Sequence, residues 1–368
     1  MKKIKVLHFY KKSIIESFGG VEKFIDILCN GTNKLGVENV LFSLSKKNYN
    51  KKIDLGGYSV FNAKEDLYIY STGFSLSAFF QFRKLSENAD IIHYHFPNPF
   101  ADILHFFCGI KKPFLITYHS DVVKQKFIFF FYKFMMNKFL KASNTIVVTS
   151  KNYLESSITL KRFTHKAKVI SIGLDIDTYP EIDKKIYKKY KNKFTSPFFL
   201  FIGGLRYYKG LHIALEAIAG TNLKLVIAGT GGEESNLKRK AKAFKLDNVT
   251  FLGQISEKEK VTLLKLCTCF LFPSHRRSEA FGIALLEAAA FGKPMISCDI
   301  KTGTSFINLH KETGLVVKPD SSKDLKKAMQ FIISNPDLAK KMSQKAKERY
   351  KKIFSAEKQA NDYFNIYE

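Results

Sequence analysis

Short runs of apolar residues alternate along the whole chain with longer segments of helical periodicity. The runs are rich in β-branched and aromatic residues, and they are nearly continuous rather than alternating in polarity. Strands of a parallel sheet have this pattern because both of their faces are buried, and the intervening segments are long enough for crossover helices. The predicted strands are Ile4–Phe9, Asp90–Tyr94, Phe114–Tyr118, Thr145–Val148, Val169–Ile172, Phe198–Gly203, Lys224–Ala228, Val249–Leu252, Cys269–Pro273 and Pro294–Cys298.

A charged segment divides these strands into two groups. Asp175–Thr195 is rich in Lys, Tyr and Asp and poor in aliphatic residues, which is typical of a linker with a helical turn or two. The pattern therefore predicts an α/β protein of two Rossmann-like, doubly wound domains over 1–178 and 197–345, with a linker over 179–196. A C-terminal helix over 346–368 is expected to return to the first domain.

Composition narrows the class of protein. Hydrophobic residues make up 45% of the 368 residues, so the chain is globular, and its net charge of +27 favours an anionic partner. Nucleic acid is the less favoured partner, because the aromatic residues lie in apolar runs and no known binding motif appears. No secretion signal and no apolar run of the ~20 residues of a membrane span is found, and the five cysteines lack zinc spacing. We expect a cytoplasmic location.

Two loops of the first domain follow predicted strands. Gly19 and Gly20 precede a helical pattern, and paired glycines let a ligand approach the backbone near free N–H groups. His119 follows the strand that ends at Tyr118 and is a candidate base or hydrogen-bonding group. A metal site formed with His93 and His95 is not expected, because no carboxylate or cysteine cluster completes it.

A glycine-rich loop with two cations follows the first strand of the second domain. That strand ends at Gly203-Gly204, Arg206 and Lys209 come next, and Gly210 opens a helix. Small residues and cations beside a helix start form a phosphate cradle. The later glycines over 227–232 do not have the G-x-G-x-x-G spacing of a dinucleotide site.

The stretch SHRRSEAFGIALLEAAAFGKP, residues 274–294, carries two carboxylates around an apolar helix. Ser278 is the predicted N-cap, so the N–H groups at the start, Phe281 to Ile283, would face an anion. Glu279 and Glu287 are eight residues apart, about 12 Å along a helix. This exceeds the carboxylate separation of glycosidases, ~5 to 9.5 Å. Carboxylates at both ends of an anion site instead suit the hydroxyl groups of a nucleotide sugar.

These motifs together resemble glycosyltransferase family 4, retaining enzymes of the GT-B fold, in which two domains face each other across a cleft. The stretch beginning at Glu279 is similar to the family's E-x7-E motif, and the resemblance covers nearly the whole chain. The segments HSDVVKQK, NYLESSITLKRF and TGTSFIN resemble bacterial surface-polysaccharide and O-antigen mannosyltransferases, several of which use GDP-mannose.

The resemblance implies a role for each matching residue. Lys209 and a neighbouring arginine would hold the diphosphate, Glu279 the donor sugar and Glu287 the ribose, while His119 would line the reacting centre. The family usually has arginine where this chain has Gly204, so Arg206 would substitute for it. The expected catalytic residues are His119, Glu279, Lys209 and Arg206. The expected nucleotide-sugar-binding residues are Gly19, Gly20, Gly204, Arg206, Lys209, Ile255, Glu279, Ala280, Phe281, Gly282, Ile283 and Glu287.

The resemblance also implies a mechanism without a metal ion or other cofactor. Asp175 and Asp177 spell a DxD sequence, but the matching family residues are structural, and Lys209, Arg206 and helix N–H groups would neutralise the leaving diphosphate. The expected reaction moves a hexose, with mannose from GDP-mannose favoured, to a lipid-linked glycan in lipopolysaccharide O-antigen or capsule synthesis. A UDP-sugar-dependent transferase or a sugar-nucleotide epimerase remain alternatives.

One helical segment, Val122–Ala142, predicts contact with an anionic membrane surface. One face is ordinary core, and the opposite face carries lysines with phenylalanines between them, an arrangement that suits a lipid interface. A helix buried on both sides is the alternative. Docking would place the enzyme on the inner face of the cytoplasmic membrane. The core face comprises Ile128, Phe129, Tyr132, Met135, Met136, Phe139 and Leu140, and the other face Lys126, Phe127, Phe130, Lys133, Phe134, Lys138 and Lys141.

Overall fold

The computed structural model describes residues 3–17, 19–47, 49–70, 72–122 and 126–368, with only the backbone for 126–131. Its contacts divide the chain into two compact units. One comprises Met1–Gly173 together with Ser355–Glu368, and the other comprises Leu174–Phe354.

The first unit is built on an eight-stranded sheet in the order β10-β9-β8-β7-β1-β2-β4-β3. All neighbours are parallel except β3, which is antiparallel to β4, and β5 and β6 form a separate hairpin. The strands are β1 (Ile4–Phe9), β2 (Val37–Ser45), β3 (Lys51–Asp54), β4 (Ser59–Lys64), β5 (Leu67–Ile69), β6 (Thr72–Phe74), β7 (Ile91–Phe96), β8 (Phe114–Tyr118), β9 (Thr145–Val148) and β10 (Ala167–Val169). The helices are α1 (Gly20–Asn33), α2 (Ser77–Glu87), α3 (Pro99–Phe107), α4 (Lys126–Ala142) and α5 (Lys151–Ser156).

The strand order of this sheet reverses between β1 and β7. The chain moves outward from β1 to β2 and β4, then returns to the other side of β1 and continues through β7, β8 and β9. The loops that follow β1 and β7 therefore diverge at the carboxyl edge, which is where doubly wound sheets bind ligands. Helix α1 covers this region because Phe24, Ile25 and Leu28, spaced at helical intervals, are all fully buried.

The second unit has a six-stranded, all-parallel sheet in the order β13-β12-β11-β14-β15-β16. Its order reverses between β11 and β14, so the loops after these two strands diverge in the same way. The strands are β11 (Phe198–Ile202), β12 (Lys224–Ala228), β13 (Val249–Gly253), β14 (Cys269–Phe272), β15 (Met295–Cys298) and β16 (Gly314–Val317). The helices are α6 (Lys184–Lys193), α7 (Leu211–Ile218), α8 (Glu234–Ala243), α9 (Glu257–Leu266), α10 (Ile283–Ala290), α11 (Gly303–Ile307), α12 (Ser322–Ser334) and α13 (Pro336–Ile353).

The final helix, α14 (Ala356–Tyr367), belongs to the first unit, while α13 runs through the predicted bound at residue 345 and belongs to the second. Helix α14 packs closely on α1, since a Cβ built on Gly31 would lie 2.8 Å from that of Ala360. Tyr363 and Tyr367 are buried in the first unit.

The prediction of an α/β fold with two doubly wound units is confirmed. Most predicted strands are present with ends shifted by a residue or two. The prediction for Val169–Ile172 is wrong in register, because β10 ends at Val169 and the following residues are irregular. Strands β2 to β6 and β16 were not predicted. The segment 175–195 contains a ten-residue helix, α6, which packs on α9 through a 2.8 Å hydrogen bond from Tyr190 Oη to Glu259.

Candidate active site

The loops after β11 and β14 touch at the strand reversal of the second unit. Gly210 has a left-handed backbone, with φ +71°, and a Cβ built on it would lie 2.0 Å from the carbonyl oxygen of Pro273. The N–H of His275 donates to the carbonyl of Tyr208 at 3.0 Å. Only glycine permits both the backbone angle and the close approach. The glycine predicted to open a helix therefore also fixes the two loops against each other.

Lys209 and Glu279 form an ion pair between these loops. Ser274 Oγ donates to the same carboxylate at 3.3 Å, and the ammonium of Lys209 lies 4.9 Å from the centroid of the Phe272 ring. Burial lowers the pKa of Lys209, but the Glu279 carboxylate and Tyr208 together more than reverse this, so the pKa lies above its usual value. The structure thus brings together two residues that were predicted separately, and it keeps Lys209 charged.

The helix start was predicted wrongly. Helix α10 begins at Ile283, and its N-cap is Gly282, with φ +99°, rather than Ser278. Residues from Ser278 to Phe281 form an irregular turn that precedes the helix, so the N–H groups of Phe281 and Gly282 are not helical. The 12 Å helical separation of the two glutamates also does not apply, because Glu279 is not on the helix. The physical reason is the left-handed backbone of Gly282. This conformation cannot be part of a right-handed helix, so the helix can begin only at the next residue.

Phe281 and Ala280 are held by the loop after β15. Phe281 is buried, and the carbonyl of Ala280 accepts a hydrogen bond of 2.9 Å from Gly303 N–H. Ile283 supplies the first N–H of the helix, a group that has no partner within the helix itself. The positive end of helix α10 therefore directly follows the loop that carries Glu279, the partner of Lys209.

Glu287 lies in the middle of α10 and is buried with two partners. Its Oε1 accepts hydrogen bonds from Lys260 Nζ at 3.0 Å and from Tyr179 Oη at 2.6 Å. Burial lowers the pKa of Lys260, and Glu287 and Glu257 together more than reverse this. Burial and Glu287 both raise the pKa of Tyr179. Sequence reasoning missed Lys260 and Tyr179, and no motif at their positions could have revealed them.

The remaining predicted residues of this unit lie on the neighbouring loops. Gly204 and Arg206 are exposed on the loop after β11, and Ile255 is half-buried after β13. The glycine run after β12 has a packing role, because a Cβ on Gly231 would lie 2.4 Å from the carbonyl oxygen of Leu205. Asp175 caps a short 3₁₀ turn by accepting from Asp177 N–H at 3.1 Å.

In the first unit, Gly19 is the N-cap of α1 and Gly20 is its first residue. A Cβ on Gly19 would lie 2.3 Å from Glu22 Oε2, so a larger residue there would require the Glu22 side chain to move. His119 follows β8 and is buried, and burial lowers its pKa to about 3. The imidazole is therefore neutral at neutral pH.

His93, His95 and His119, which the sequence analysis considered together, lie close to one another. A fourth histidine, which it did not consider, is part of the same cluster. The rings of His93 and His95 stack at 4.3 Å, and His95 Nδ1 lies 3.1 Å from His119 Nε2. His8, on β1, lies beside them. The ring nitrogens of His8, His93 and His95 lie within 4.8 Å of one another, a spacing that a metal ion could use.

Helix α4 has the predicted core face where its side chains are described. Met136, Phe139 and Leu140 are buried, whereas Lys133 and Phe134 are exposed. The side chains of 126–131, including the predicted Phe127 and Phe130, lie outside the described part. None of the helices that the structure describes combines the length and apolar character required to cross a bilayer.

Comparison with protein families and relatives matches both halves of the chain. A family model described as "Glycosyltransferase Family 4" matches residues 18–178, and one described as "Glycosyl transferases group 1" matches residues 183–349. The D-rhamnosyltransferase WbpZ of Pseudomonas aeruginosa is 44% identical over 96% of this chain and 93% of its own length. The O-antigen chain mannosyltransferase C of Escherichia coli is 38% identical over 99% of this chain and 98% of its own length.

Solved structures share the fold at lower identity. A sucrose-phosphate synthase from Thermosynechococcus elongatus superposes with a TM-score of 0.80 at 19% identity, covering 99% of this chain and 98% of its own. Anabaena Alr3699/HepE in complex with UDP has a TM-score of 0.76 at 16% identity, with 99% of each chain covered. At these identities the likeness extends to the fold alone.

Replacing Gly210 with alanine should destabilise the protein more than the same change at Gly220. Both glycines have a left-handed backbone, which costs an L-residue about 1–2 kcal/mol. A Cβ at Gly210 would in addition meet the Pro273 carbonyl, whereas nothing lies within 4 Å of one at Gly220. The midpoint of thermal unfolding should therefore fall clearly further for G210A than for G220A. Equal losses would show that the two loops do not need this close contact.

Proposed function

Because the chain belongs to glycosyltransferase family 4, whose members have the GT-B fold, we propose that it transfers a hexose from a nucleotide sugar to a glycan acceptor with retention of configuration. Two relatives that cover nearly the whole chain are named as a D-rhamnosyltransferase and as an O-antigen chain mannosyltransferase. D-rhamnose is the 6-deoxy form of mannose, so both names point to a sugar of the manno configuration. We therefore favour mannose or its 6-deoxy form as the transferred sugar and a surface polysaccharide as the product.

The observation that carries this proposal is the Lys209–Glu279 ion pair at the strand reversal of the second unit. A nucleotide sugar presents a diphosphate beside a ring of hydroxyl groups, and it needs a cation and a hydrogen-bond acceptor side by side. Lys209 supplies the cation and Glu279 the acceptor, and the positive end of α10 is adjacent. Glu287, one turn further into α10, is the proposed acceptor for the ribose.

In the proposed reaction the donor's own phosphate acts as the base. The bond between C1 of the sugar and the phosphate oxygen breaks while the acceptor oxygen bonds to C1 on the same face, and the acceptor's proton passes to the departing phosphate oxygen. Lys209, Arg206 and the α10 N–H groups would stabilise the charge that develops on that phosphate. Glu279 and His119 would stabilise the oxocarbenium-like sugar. No step calls for a metal ion.

The donor is proposed to be GDP-linked. This rests on the manno-type sugars named for the two relatives and on the resemblance of the chain to mannosyltransferases that use GDP-mannose. The UDP found with Alr3699/HepE belongs to a protein of 16% identity and does not bear on the base that this chain selects. A UDP-linked donor is the alternative within the same fold.

Incubation with GDP-mannose alone tests the reaction class. A transferase without its acceptor should slowly release mannose and GDP, and the rate should survive EDTA because side chains and N–H groups meet the phosphate charge. GDP should bind at least about tenfold more tightly than UDP or ADP, the difference of about one hydrogen bond. An isomerised nucleotide sugar would identify an epimerase, and a loss of activity under EDTA that Mg²⁺ restores would refute the metal-free step.

The two glutamates should have separable effects. Glu279→Gln should lower turnover about 10- to 100-fold with little change in GDP affinity, because a charge-assisted hydrogen bond to the sugar is worth roughly 1.5–3 kcal/mol. Glu287→Gln should lower GDP affinity by a similar factor. Glu257 remains 2.7 Å from Lys260 and continues to neutralise it.

Glu259→Gln is the matched control for the Glu287 variant. Its carboxylate also accepts a tyrosine hydroxyl, at 2.8 Å from Tyr190, but Glu259 lies outside the proposed site. Turnover and GDP affinity are measured by steady-state kinetics and isothermal titration. A reversed pattern, with Glu279 controlling nucleotide affinity and Glu287 controlling turnover, would contradict the assignment, as would an equal effect of E259Q.

We further propose that the acceptor is lipid-linked and that the first unit docks on the inner face of the cytoplasmic membrane. Three of its helices expose large apolar side chains, with α3 in contact with both α2 and α4. Leu76, before α2, is 82% exposed, Phe80 on α2 and Phe107 on α3 are each 75% exposed, and Phe134 on α4 is 79% exposed. We call these four residues the apolar patch. Their exposure in a chain of net charge +27 suits an anionic bilayer, where rings enter and cations meet headgroups.

Co-sedimentation with vesicles tests this docking. Binding should need anionic lipid, weaken with salt, and fall several-fold in a variant with Leu76, Phe80 and Phe107 all changed to serine. Ile158→Ser is the control, because Ile158 is equally exposed, at 81%, on a different segment after α5. A folded triple variant that sediments like the parent would exclude the apolar patch as the docking surface.

A further inference from the structure

A line of four hydrogen-bonded side chains crosses four neighbouring strands of the first unit. Asn39 is on β2, His8 on β1, His95 on β7 and His119 directly after β8. Asn39 Oδ1 lies 3.0 Å from His8 Nε2, and His8 Nδ1 lies 3.2 Å from His95 Nε2. His95 Nδ1 lies 3.1 Å from His119 Nε2. His8 and His95 thus each use one ring nitrogen toward each of their two neighbours, and His119, at the end of the line, uses Nε2 alone.

The strand register explains why the line is continuous. Asn39 pairs with Val6, and His8 lies two residues further along β1. His8 pairs with His93, and His95 lies two residues beyond it. His95 pairs with Thr117, two residues before His119. A step of two residues keeps each side chain on the same face of the sheet, so the line climbs diagonally to the carboxyl edge.

The direction of every hydrogen bond in the line follows from Asn39. Its Nδ2 donates to the Cys29 carbonyl at 3.1 Å and to Thr32 Oγ1 at 3.0 Å, so its Oδ1 faces His8 and can only accept. His8 must then donate from Nε2, which leaves its Nδ1 to accept from His95 Nε2. By the same logic His95 Nδ1 accepts from His119 Nε2.

Each ring can donate from one nitrogen and accept at the other because it is neutral. Burial lowers the pKa of His8 to about 4 and that of His119 to about 3, and it lowers the pKa of His95 well below the usual value. The Phe24 ring lies steeply inclined to both rings, with its centroid 4.9 Å from that of His119 and 5.9 Å from that of His95, and all three residues are buried. A neutral imidazole that donates from Nε2 has a bare lone pair on Nδ1.

We infer that Asn39, His8 and His95 are positioning residues that hold His119 in its Nε2–H form, so that Nδ1 of His119 accepts a hydrogen bond from a hydroxyl group of the substrate. The neutral acceptor would then suit a sugar hydroxyl and not a phosphate oxygen, which has no proton to donate. The identity of the hydroxyl donor rests on the proposed function. The fixed tautomer does not, because it follows from contacts within the first unit.

A metal ion held by His8, His93 and His95 is the competing explanation of the cluster. His93 already has partners at both nitrogens, with Tyr367 Oη 2.8 Å from Nδ1 and Thr117 Oγ1 2.7 Å from Nε2. An ion at the ~2.0–2.1 Å of a zinc–nitrogen bond would need His93 to lose one of these contacts and would break the His8–His95 hydrogen bond. The hydrogen-bonded line instead uses these nitrogens as they stand.

Ring-¹⁵N-histidine NMR on the full chain measures the tautomer without any substrate. His119 is assigned by the signal that disappears in His119→Gln. At neutral pH, His8, His95 and His119 should all show a protonated Nε2 and an unprotonated Nδ1. A protonated Nδ1 on His119 would overturn the inference, and so would zinc bound in the purified protein or ring shifts that follow added Zn²⁺.

Two variants separate positioning from mere packing. Asn39→Leu removes the acceptor at the start of the line, so His119 should show a mixture of tautomers and kcat/KM should fall about tenfold, the worth of one hydrogen bond. Asn39→Asp keeps an acceptor oxygen facing His8 and should restore the Nε2–H form. The matched control is His93→Phe, which changes an equally buried ring on β7 that is outside the line, and it should leave the His119 signals unchanged.

The outcomes distinguish this inference from the proposed function. A folded N39L variant in which His119 keeps one tautomer would refute the positioning role, whatever the activity. Conversely, the predicted ring-¹⁵N signals could be observed in a chain that transfers no hexose. That result would support the fixed tautomer and refute the proposed function.

Discussion

The reversal of strand order in each parallel sheet determines where chemistry can occur in this protein. When the chain winds outward from one strand and then returns to the other side of that strand, two adjacent strands are followed by loops that lead in opposite directions. A crevice opens between these loops at the carboxyl edge of the sheet. In the second unit these strands are β11 and β14, and the loops after them carry Lys209 and Glu279. In the first unit they are β1 and β7, and the histidine line passes between them. The polar groups of both units are thus concentrated by topology and not by proximity in sequence.

The two buried carboxylates of the second unit show how such a crevice holds charge. Burying an unpaired carboxylate costs free energy, and each of these glutamates is paired with a lysine, Lys209 for Glu279 and Lys260 for Glu287. The arrangement has a consequence for ligand binding. Lys209 has already lost most of its water to the protein, so the diphosphate of the proposed donor would meet a cation whose desolvation occurred during folding. In the proposed function, Glu279 would share Lys209 with the diphosphate and accept a hydrogen bond from a sugar hydroxyl group.

The sequence predicted the parts of this arrangement that depend on local pattern. Continuous apolar runs identified most strands, and the glycines and charged residues at Lys209, Glu279 and Glu287 indicated the loops that matter. Three kinds of feature escaped. Strand β2 carries polar residues such as Asn39 and Ser43, which weakened its apolar run. The start of α10 depends on the left-handed backbone of Gly282, which no residue pattern distinguishes from an ordinary helical glycine. Lys260 and Tyr179 reach Glu287 from distant segments, so only the tertiary fold brings them together.

The two crevices differ in their electrostatics, and the difference follows from the residues that line them. The second unit has ion pairs and the positive end of a helix, which suit a group that leaves as an anion. The first unit has neutral imidazoles that burial keeps unprotonated, with their proton positions fixed by one amide. A charged imidazole would attract phosphate and repel a forming oxocarbenium ion, whereas a neutral acceptor favours hydroxyl groups and tolerates positive charge on the sugar. The crevice of the second unit therefore suits phosphate, and that of the first unit suits hydroxyl groups.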